Sequence, residues 1–219
     1  MNGSKYKVIV FDFDGVLVES VEVKDEAFFQ LYSRLGKDLG HKALEYHKAH
    51  RGVSRYEKLK HLHQRYLGKD LNNAELEALA ADYSTLVEQG VVEAAAVPGS
   101  QQFLKTYSGK IPMFVASATP QEELERIIQK RGLESFFTQI FGFPTKKSNA
   151  IREALRQTGA SPGEALMIGD AQADWDAAKE TGVDFIAREV GEGVSFPPHV
   201  LKMKDLTTLH EKLKQAQHG

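Results

Sequence analysis

Apolar residues follow two different rhythms along the chain. Residues 6–13, YKVIVFDF, form a nearly continuous apolar, β-branched run, the pattern of a strand buried on both faces. From about residue 21 to residue 93 the spacing becomes helical. Ala27, Phe28, Leu31, Tyr32 and Leu35 recur at three and four residues, as do Tyr56, Leu59, Leu62, Tyr66 and Leu67. Leu76, Leu79, Ala80, Tyr83 and Leu86 repeat the pattern, and Gly36, Gly40, Gly52 and Gly68 supply breaks between helices.

Beyond Pro98-Gly99, strands and helices alternate. Helices are predicted over 100–107, 121–132, 148–158 and 173–181, and strands over 111–117, 139–142, 164–170 and 184–188. Thr119 reads as the N-cap of the second of these helices, with Pro120 in its first turn. A last amphipathic helix is expected over 205–217. Such alternation implies right-handed crossovers and a parallel sheet. The expected class is α/β, a Rossmann-like parallel-sheet core from residues 1–18 and 96–219 with an α-helical cap, 19–95, inserted after the first strand.

Composition narrows the chemistry. The 219 residues carry 28 Lys and Arg against 30 Asp and Glu, a formal net charge of −2. That balance gives no electrostatic case for nucleic acid or an anionic membrane surface. The absence of cysteine excludes thiol nucleophiles, disulfides and cysteine-ligated zinc. The opening residues have no signal-peptide layout and no run approaches a membrane span, so a cytoplasmic protein is expected.

In parallel sheets, ligands sit beyond the carboxyl ends of the strands. Asp12 and Asp14 end the first predicted strand on the same side. Asp170 ends the fourth, with Asp174 four residues on, close to it or placed simply to favour a helix N-terminus. Ser117 ends the second, as a phosphate-binding hydroxyl or a plain N-cap. Lys146 and Lys147 follow the third, one of them suited to a phosphate and the other to the surface. Two carboxylates about 4 Å apart repel by about 4 kcal/mol at an effective dielectric of ~20. Hard oxygen ligands with excess charge suit Mg²⁺, and a metal with a lysine suits a phosphoryl group that an aspartate could attack.

Together the segments FDFDGVLVES, VASAT, PTKK and MIGDAQADWDAA resemble the four ordered motifs of the haloacid dehalogenase-like superfamily, in its phosphoglycolate-phosphatase-like branch. The resemblance implies a Mg²⁺-dependent phosphatase that hydrolyses small phosphate monoesters through an aspartyl-phosphate. Asp12 would be the nucleophile. Asp14 would protonate the leaving oxygen, deprotonate water and present its backbone carbonyl to the metal. Ser117, Ala118 and a lysine, Lys147 or else Lys146, would hold the phosphoryl group. Asp170 would ligate Mg²⁺, with Asp174 direct or through water. The motif that usually continues Ser-Asn or Thr-Asn reads Ser117-Ala118-Thr119 here.

The partner expected is a small phosphorylated metabolite. A phosphomutase of the same fold, similar to β-phosphoglucomutase, is the alternative, and a non-catalytic phospho-accepting or binding protein a further one. Within the helical block, Arg55 could meet a second anion on the substrate, although Arg55 and Lys58 on a helix more often face solvent. His61 and His63 are too close in sequence for one helix face. Trp175 reads as packing, and Gly191-Glu192-Gly193 is too little for a dinucleotide fingerprint.

Overall fold

The computed structural model describes residues 5–190 and 195–215. Strand β1 (Val8–Phe11) is buried at all four positions. It is followed by helices α1 (Val21–Ser33), α2 (Lys37–Ala49), α3 (Arg55–Leu62) and α4 (Asn73–Glu93). Next come α5 (Ser100–Tyr107), β2 (Met113–Pro120), α6 (Gln121–Lys130), β3 (Gln139–Phe143) and α7 (Lys147–Thr158). The chain closes with β4 (Ala165–Gly169), α8 (Gln172–Thr181), β5 (Asp184–Arg188), β6 (Leu201–Met203) and α9 (Leu209–Gln215).

Among the described residues the strands form one parallel sheet in the order β3-β2-β1-β4-β5-β6. The order reverses direction at β1 and β4, where an open α/β sheet has its ligand crevice. Phe11 is level with Val115 on one side and Ile168 on the other. That register brings the residues after Phe11, Val115 and Ile168 out at one place.

Alternation along β1 sends Val8 and Val10 to one face and Ile9 and Phe11 to the other. The first pair packs with Phe114, Ala116, Met167 and Ile151. The second belongs to a cluster that continues without a break into Phe28, Leu59 and Tyr83 of the helical insert. One hydrophobic core therefore serves both the sheet and the insert.

Four sequence expectations change. Strand β2 runs on to Pro120, so the following helix starts at Gln121 and Thr119 does not cap it. The register with β3 shifts between Ala116 and Pro120, which lets the chain stay extended past Ser117. Gly40 lies inside α2 and is not a break. A Cβ there would sit 2.1 Å from Ser33 Oγ and 3.0 Å from the Phe29 carbonyl oxygen, so glycine permits close packing of α1 on α2. Strand β6 was unread because it spans three residues with two exposed. The expected helix over 205–217 is a tight turn at 206–208 followed by α9. Residues 216–217 and Gly191-Glu192-Gly193 lie outside the described residues.

Local signals account for other elements. Asn72 Oδ1 accepts from the Glu75 N–H at 3.0 Å and Glu75 Oε2 accepts from the Asn72 N–H at 3.1 Å, a reciprocal cap that starts α4. Trp175 packs against Phe185 and His199. His63 Nδ1 is 2.9 Å from the Tyr32 hydroxyl, and His61 stacks on Tyr46. Among the described residues no helix is long and apolar enough to cross a membrane.

The insert is fastened to the sheet by buried polar contacts. Arg55 on α3 meets Glu123 on α6 through two hydrogen bonds of 2.8 and 2.6 Å. Ser84 donates to the same carboxylate, and Arg55 stacks 4.6 Å over the Tyr83 ring. Arg131 donates to the carbonyls of Val91, Val92 and Ala94 at the end of α4. Removing one partner of a buried ion pair leaves the other charge uncompensated. Glu123→Ala is expected to lower stability by about 3–5 kcal/mol in urea denaturation. The paired change Arg55→Met with Glu123→Met is expected to recover most of that loss.

Candidate active site

Asp12 follows β1 directly, its N–H donating to the Ile168 carbonyl at 2.8 Å. Its Oδ1 accepts from the Phe13 N–H at 2.8 Å and its Oδ2 lies 3.0 Å from Lys147 Nζ. Lys147 opens α7, and its Nζ also reaches Asp174 Oδ1 at 2.5 Å. Asp174 Oδ2 in turn accepts from the Ala171 N–H at 3.0 Å, closing the first turn of α8. Both oxygens of Asp174 are thus engaged, one orienting a lysine and one capping a helix. Lys146 stands exposed beside this group, outside the cavity.

Asp170 follows β4. Among the described residues it has no ion-pair partner within 4 Å, and it shares a 4.8 Å cluster of oxygens with Asp12 and Asp174. Two glycines let these acids approach. Gly15, at φ +72°, would place a Cβ 2.3 Å from Asp170 Oδ2, and Gly169 would place one 2.3 Å from the Asp174 Cβ. The backbone at Gly15 is held by Arg188, which donates to its carbonyl at 2.8 Å and pairs with Glu19.

Asp14 is held from the other side. Its Oδ1 accepts from the Ser20 hydroxyl at 2.7 Å, and its Oδ2 from the Thr119 hydroxyl at 3.2 Å and from Lys24. Lys24 also donates to Thr119 Oγ1 at 2.8 Å. Ser117 is buried, with its Oγ accepting from the Thr119 N–H at 3.2 Å and 3.4 Å from Asp14 Oδ2.

Environment divides these acids. Burial pushes Asp12 up to about 7, with Asp174 and Asp14 adding repulsion and Lys147 opposing it. Burial and repulsion by Asp12 and Asp174 push Asp170 well above the carboxylate range. For Asp14 burial acts in the same sense but is outweighed by Lys24 and the Ser20 and Thr119 hydroxyls, so its pKa is lowered. Burial would depress Lys147, but Asp12 and Asp174 more than reverse it and keep the amine charged. The donors are all hard carboxylate oxygens carrying surplus negative charge, which fits a small divalent cation.

One cavity of about 70 Å³ brings together Asp12, Asp14, Ser117, Ala118, Lys147 and Asp170. Its opposite wall comes from the insert, with Lys24, His47, Arg51, Arg55 and Lys58. Gly52 sits where that wall meets the sheet, a Cβ there falling 2.9 Å from the Ala171 Cβ. Arg55 borders the cavity, but its guanidinium is already spent on Glu123 and Ser84. The expectation that Arg55 and Lys58 face solvent is corrected, since their exposures are 5% and 3%.

Lys24 and Thr119 were not read as site residues. Thr119 was detectable, because two residues along an extended strand return to the same side as Ser117. Lys24 carries no such signal: it lies on a helix whose approach to β1 depends on tertiary packing.

The sequence profile described as haloacid dehalogenase-like hydrolase matches residues 9–188. The chain is 28% identical over 200 residues to the phosphoglycolate phosphatase of Pseudomonas savastanoi, covering 86% of this chain and 71% of the relative. It is 24% identical over 186 residues to the phosphorylated carbohydrates phosphatase of Thermotoga maritima, covering 82% and 83%. A haloacid dehalogenase-like family hydrolase from Streptococcus pneumoniae superposes with a TM-score of 0.70 at 21% identity, covering 96% and 100%. At that identity the structural likeness is one of fold.

The raised carboxylates give a stability signature. The metal-free folded protein retains protons that the unfolded chain releases near the ordinary value of 3.8. Stability in chelator is therefore expected to fall as pH climbs from about 4 towards 7. Asp170→Asn is expected to flatten that fall and to add about 1–3 kcal/mol at neutral pH, read by urea denaturation across pH.

Proposed function

The chain belongs to the haloacid dehalogenase-like hydrolase family, and from that premise we propose that it hydrolyses small phosphate monoesters with Asp12 as nucleophile and Mg²⁺ as cofactor. One observation carries the reading. Asp12 Oδ2 lies 3.0 Å from a buried lysine and shares a cavity with Asp14, Ser117 and Asp170. No rearrangement of the strands is needed to bring these groups to a single phosphorus centre. The two phosphatases to which the chain is similar act on phosphoglycolate and on phosphorylated carbohydrates, as their names state.

Asp12 and Asp170, with the Asp14 backbone carbonyl, would hold the cation. Asp174, in the same 4.8 Å oxygen cluster, would join them directly or through water while also orienting Lys147. When bound, a divalent cation offsets carboxylate charge and polarises a phosphoryl oxygen. Lys147 orients the phosphoryl group, assisted by the Ser117 hydroxyl and the backbone at Ala118.

Asp14, ionised in the free protein, would take up a proton as the anionic phosphoryl group binds beside it and raises its proton affinity; Asp12 Oδ2 then attacks phosphorus, the ester oxygen departs with that proton, and phosphate is left on Asp12. Asp14 then takes a proton from water as it attacks phosphorus, releasing inorganic phosphate and regenerating both acids. The Lys24 and Thr119 contacts favour the ionised Asp14 needed for that second half. The helical insert would act as a cap that keeps bulk water from the aspartyl-phosphate.

Asp12→Asn is expected to lower phosphate release from a small monoester in Mg²⁺ by about 10³-fold or more. Equal rates in wild type and variant would sink the nucleophile assignment. Mg²⁺ is expected to raise the melting temperature of the wild type and to leave Asp170→Asn unmoved, a readout independent of turnover.

A further inference from the structure

One buried arginine lies outside the cavity yet holds the turn that carries Asp14. Arg188 ends β5, one step past the Gly169–Ala187 pair and so level with Asp170. Alternation turns it to the same face as Ile186, the face that the sheet shares with the insert. It is 7% exposed and does not border the cavity. Its Nε donates to the Lys204 carbonyl at 3.0 Å. Its Nη1 donates to the Gly15 carbonyl at 2.8 Å and to Glu19 Oε2 at 2.8 Å, and its Nη2 donates to Glu19 Oε1 at 2.7 Å.

Three of those four hydrogen bonds converge on one turn. Gly15 directly follows Asp14, and its N–H donates to the Val18 carbonyl at 2.8 Å. Glu19 directly precedes Ser20, whose hydroxyl donates to Asp14 Oδ1 at 2.7 Å. Arg188 thus grips the chain beside both groups that place the Asp14 carboxylate, the backbone it hangs from and a hydroxyl that aims it. The same turn leads into the insert. The Glu19 N–H donates to the Ala95 carbonyl at 2.9 Å, and the Val97 N–H to the Leu17 carbonyl at 3.1 Å. The outgoing and returning segments are therefore joined to each other, and Arg188 ties the pair to the sheet. The turn has no room to shift towards the acids, because a Cβ on Gly15 would already fall 2.3 Å from Asp170 Oδ2. Burying a guanidinium is costly unless its charge and donors are met, and here the turn meets most of them.

We propose that Arg188, acting with Glu19, is a positioning residue for hydrolysis: by clamping residues 15–19 it holds the Asp14 carboxyl at the ester oxygen of the substrate. The proposal rests on the phosphatase reading above. Arg188 touches neither the substrate nor the reacting atoms. As the ester P–O bond breaks and the bond from phosphorus to Asp12 forms, the proton on Asp14 passes to the departing alkoxide. Lys147 on α7 and Ser117 on β2, which would orient the phosphoryl group, receive nothing from Arg188. Loosening the clamp therefore impairs protonation of the leaving group more than attack at phosphorus. Misplacing a reacting group by about 1 Å costs about 10²-fold in rate.

The test pairs two esters of similar shape, ethyl phosphate and 2,2,2-trifluoroethyl phosphate. Trifluoroethoxide is much the weaker base, so its departure depends less on a proton from Asp14. The readout is the ratio of the two kcat/KM values, which report the steps up to phosphorylation of Asp12. Arg188→Met is expected to lower kcat/KM for ethyl phosphate by about 10²-fold and to shift the ratio towards the trifluoroethyl ester by about tenfold. Simple destabilisation lowers the active fraction for both esters alike and leaves the ratio where it was. Glu19→Gln, which keeps the Gly15 contact, is expected to shift the ratio the same way by a smaller factor. Adding it to Arg188→Met is expected to shift the ratio no further. An unchanged ratio in Arg188→Met overturns the proposal, whatever the fall in the separate rates. If Arg188→Met does not fold, an unchanged ratio in Glu19→Gln overturns it instead. In either case Asp12-dependent phosphate release by the wild type still stands. Absence of such release from both esters would instead overturn the phosphatase reading.

Discussion

Like charges crowd the carboxyl ends of β1 and β4, and the arrangement of the rest of the molecule follows from how that crowding is relieved. Two carboxylates about 4 Å apart repel by about 4 kcal/mol at an effective dielectric of ~20. The protein answers with two lysines from opposite directions. Lys147 comes from the sheet side and joins Asp12 to Asp174, while Lys24 comes from the insert and joins Asp14 to Thr119. Relief is uneven. Asp14 is held ionised, whereas Asp12 and Asp170 keep raised pKa values. Chemically identical side chains a few ångströms apart thus acquire different proton affinities from their neighbours alone.

The insert contributes structure as well as enclosure. Its hydrophobic residues are continuous with one face of the sheet, so no separate core divides it from the strands. Besides Lys24, polar attachments of α3 and α4 fall on α6 and just beyond it, at Glu123 and Arg131. These fix α3 above the strand ends and place His47, Arg51 and Lys58 opposite Asp12. The cationic wall from the insert and the wall that carries the acids are thereby held in register.

Much of this was legible in the residues. The apolar run of β1, the helical spacing over 21–93 and the later alternation locate most elements, because burial on two faces and on one stripe leave different periods. Asp12, Asp14 and Asp170 were accessible because each stands just past a strand end, and a parallel sheet sends such ends to one side; Ser117 lies where the apolar run of β2 ends, although the strand itself continues to Pro120. Residue type and position leave Lys146 and Lys147 open, and only the motif resemblance favours Lys147; one residue of helix phase puts Lys147 in the cavity and Lys146 at the surface. Lys24, Lys58 and the Arg55–Glu123 pair were illegible for a common reason. Their partners are 10 to 95 residues away in sequence, and only the angles between helices bring them together. Extension of β2 to Pro120 was missed because Thr-Pro is also a good helix start.

Gly40 lies on the contact between α1 and α2, remote from the reacting groups. A methyl group there would press on the Phe29 backbone and act as a wedge. Helix α1 carries Lys24 and α2 carries His47, so prying the two apart is a lever whose far arm ends at Asp14 and Lys58. The settings of Asp14 on one wall and of Lys58 on the other thus share a fulcrum one hydrogen atom wide.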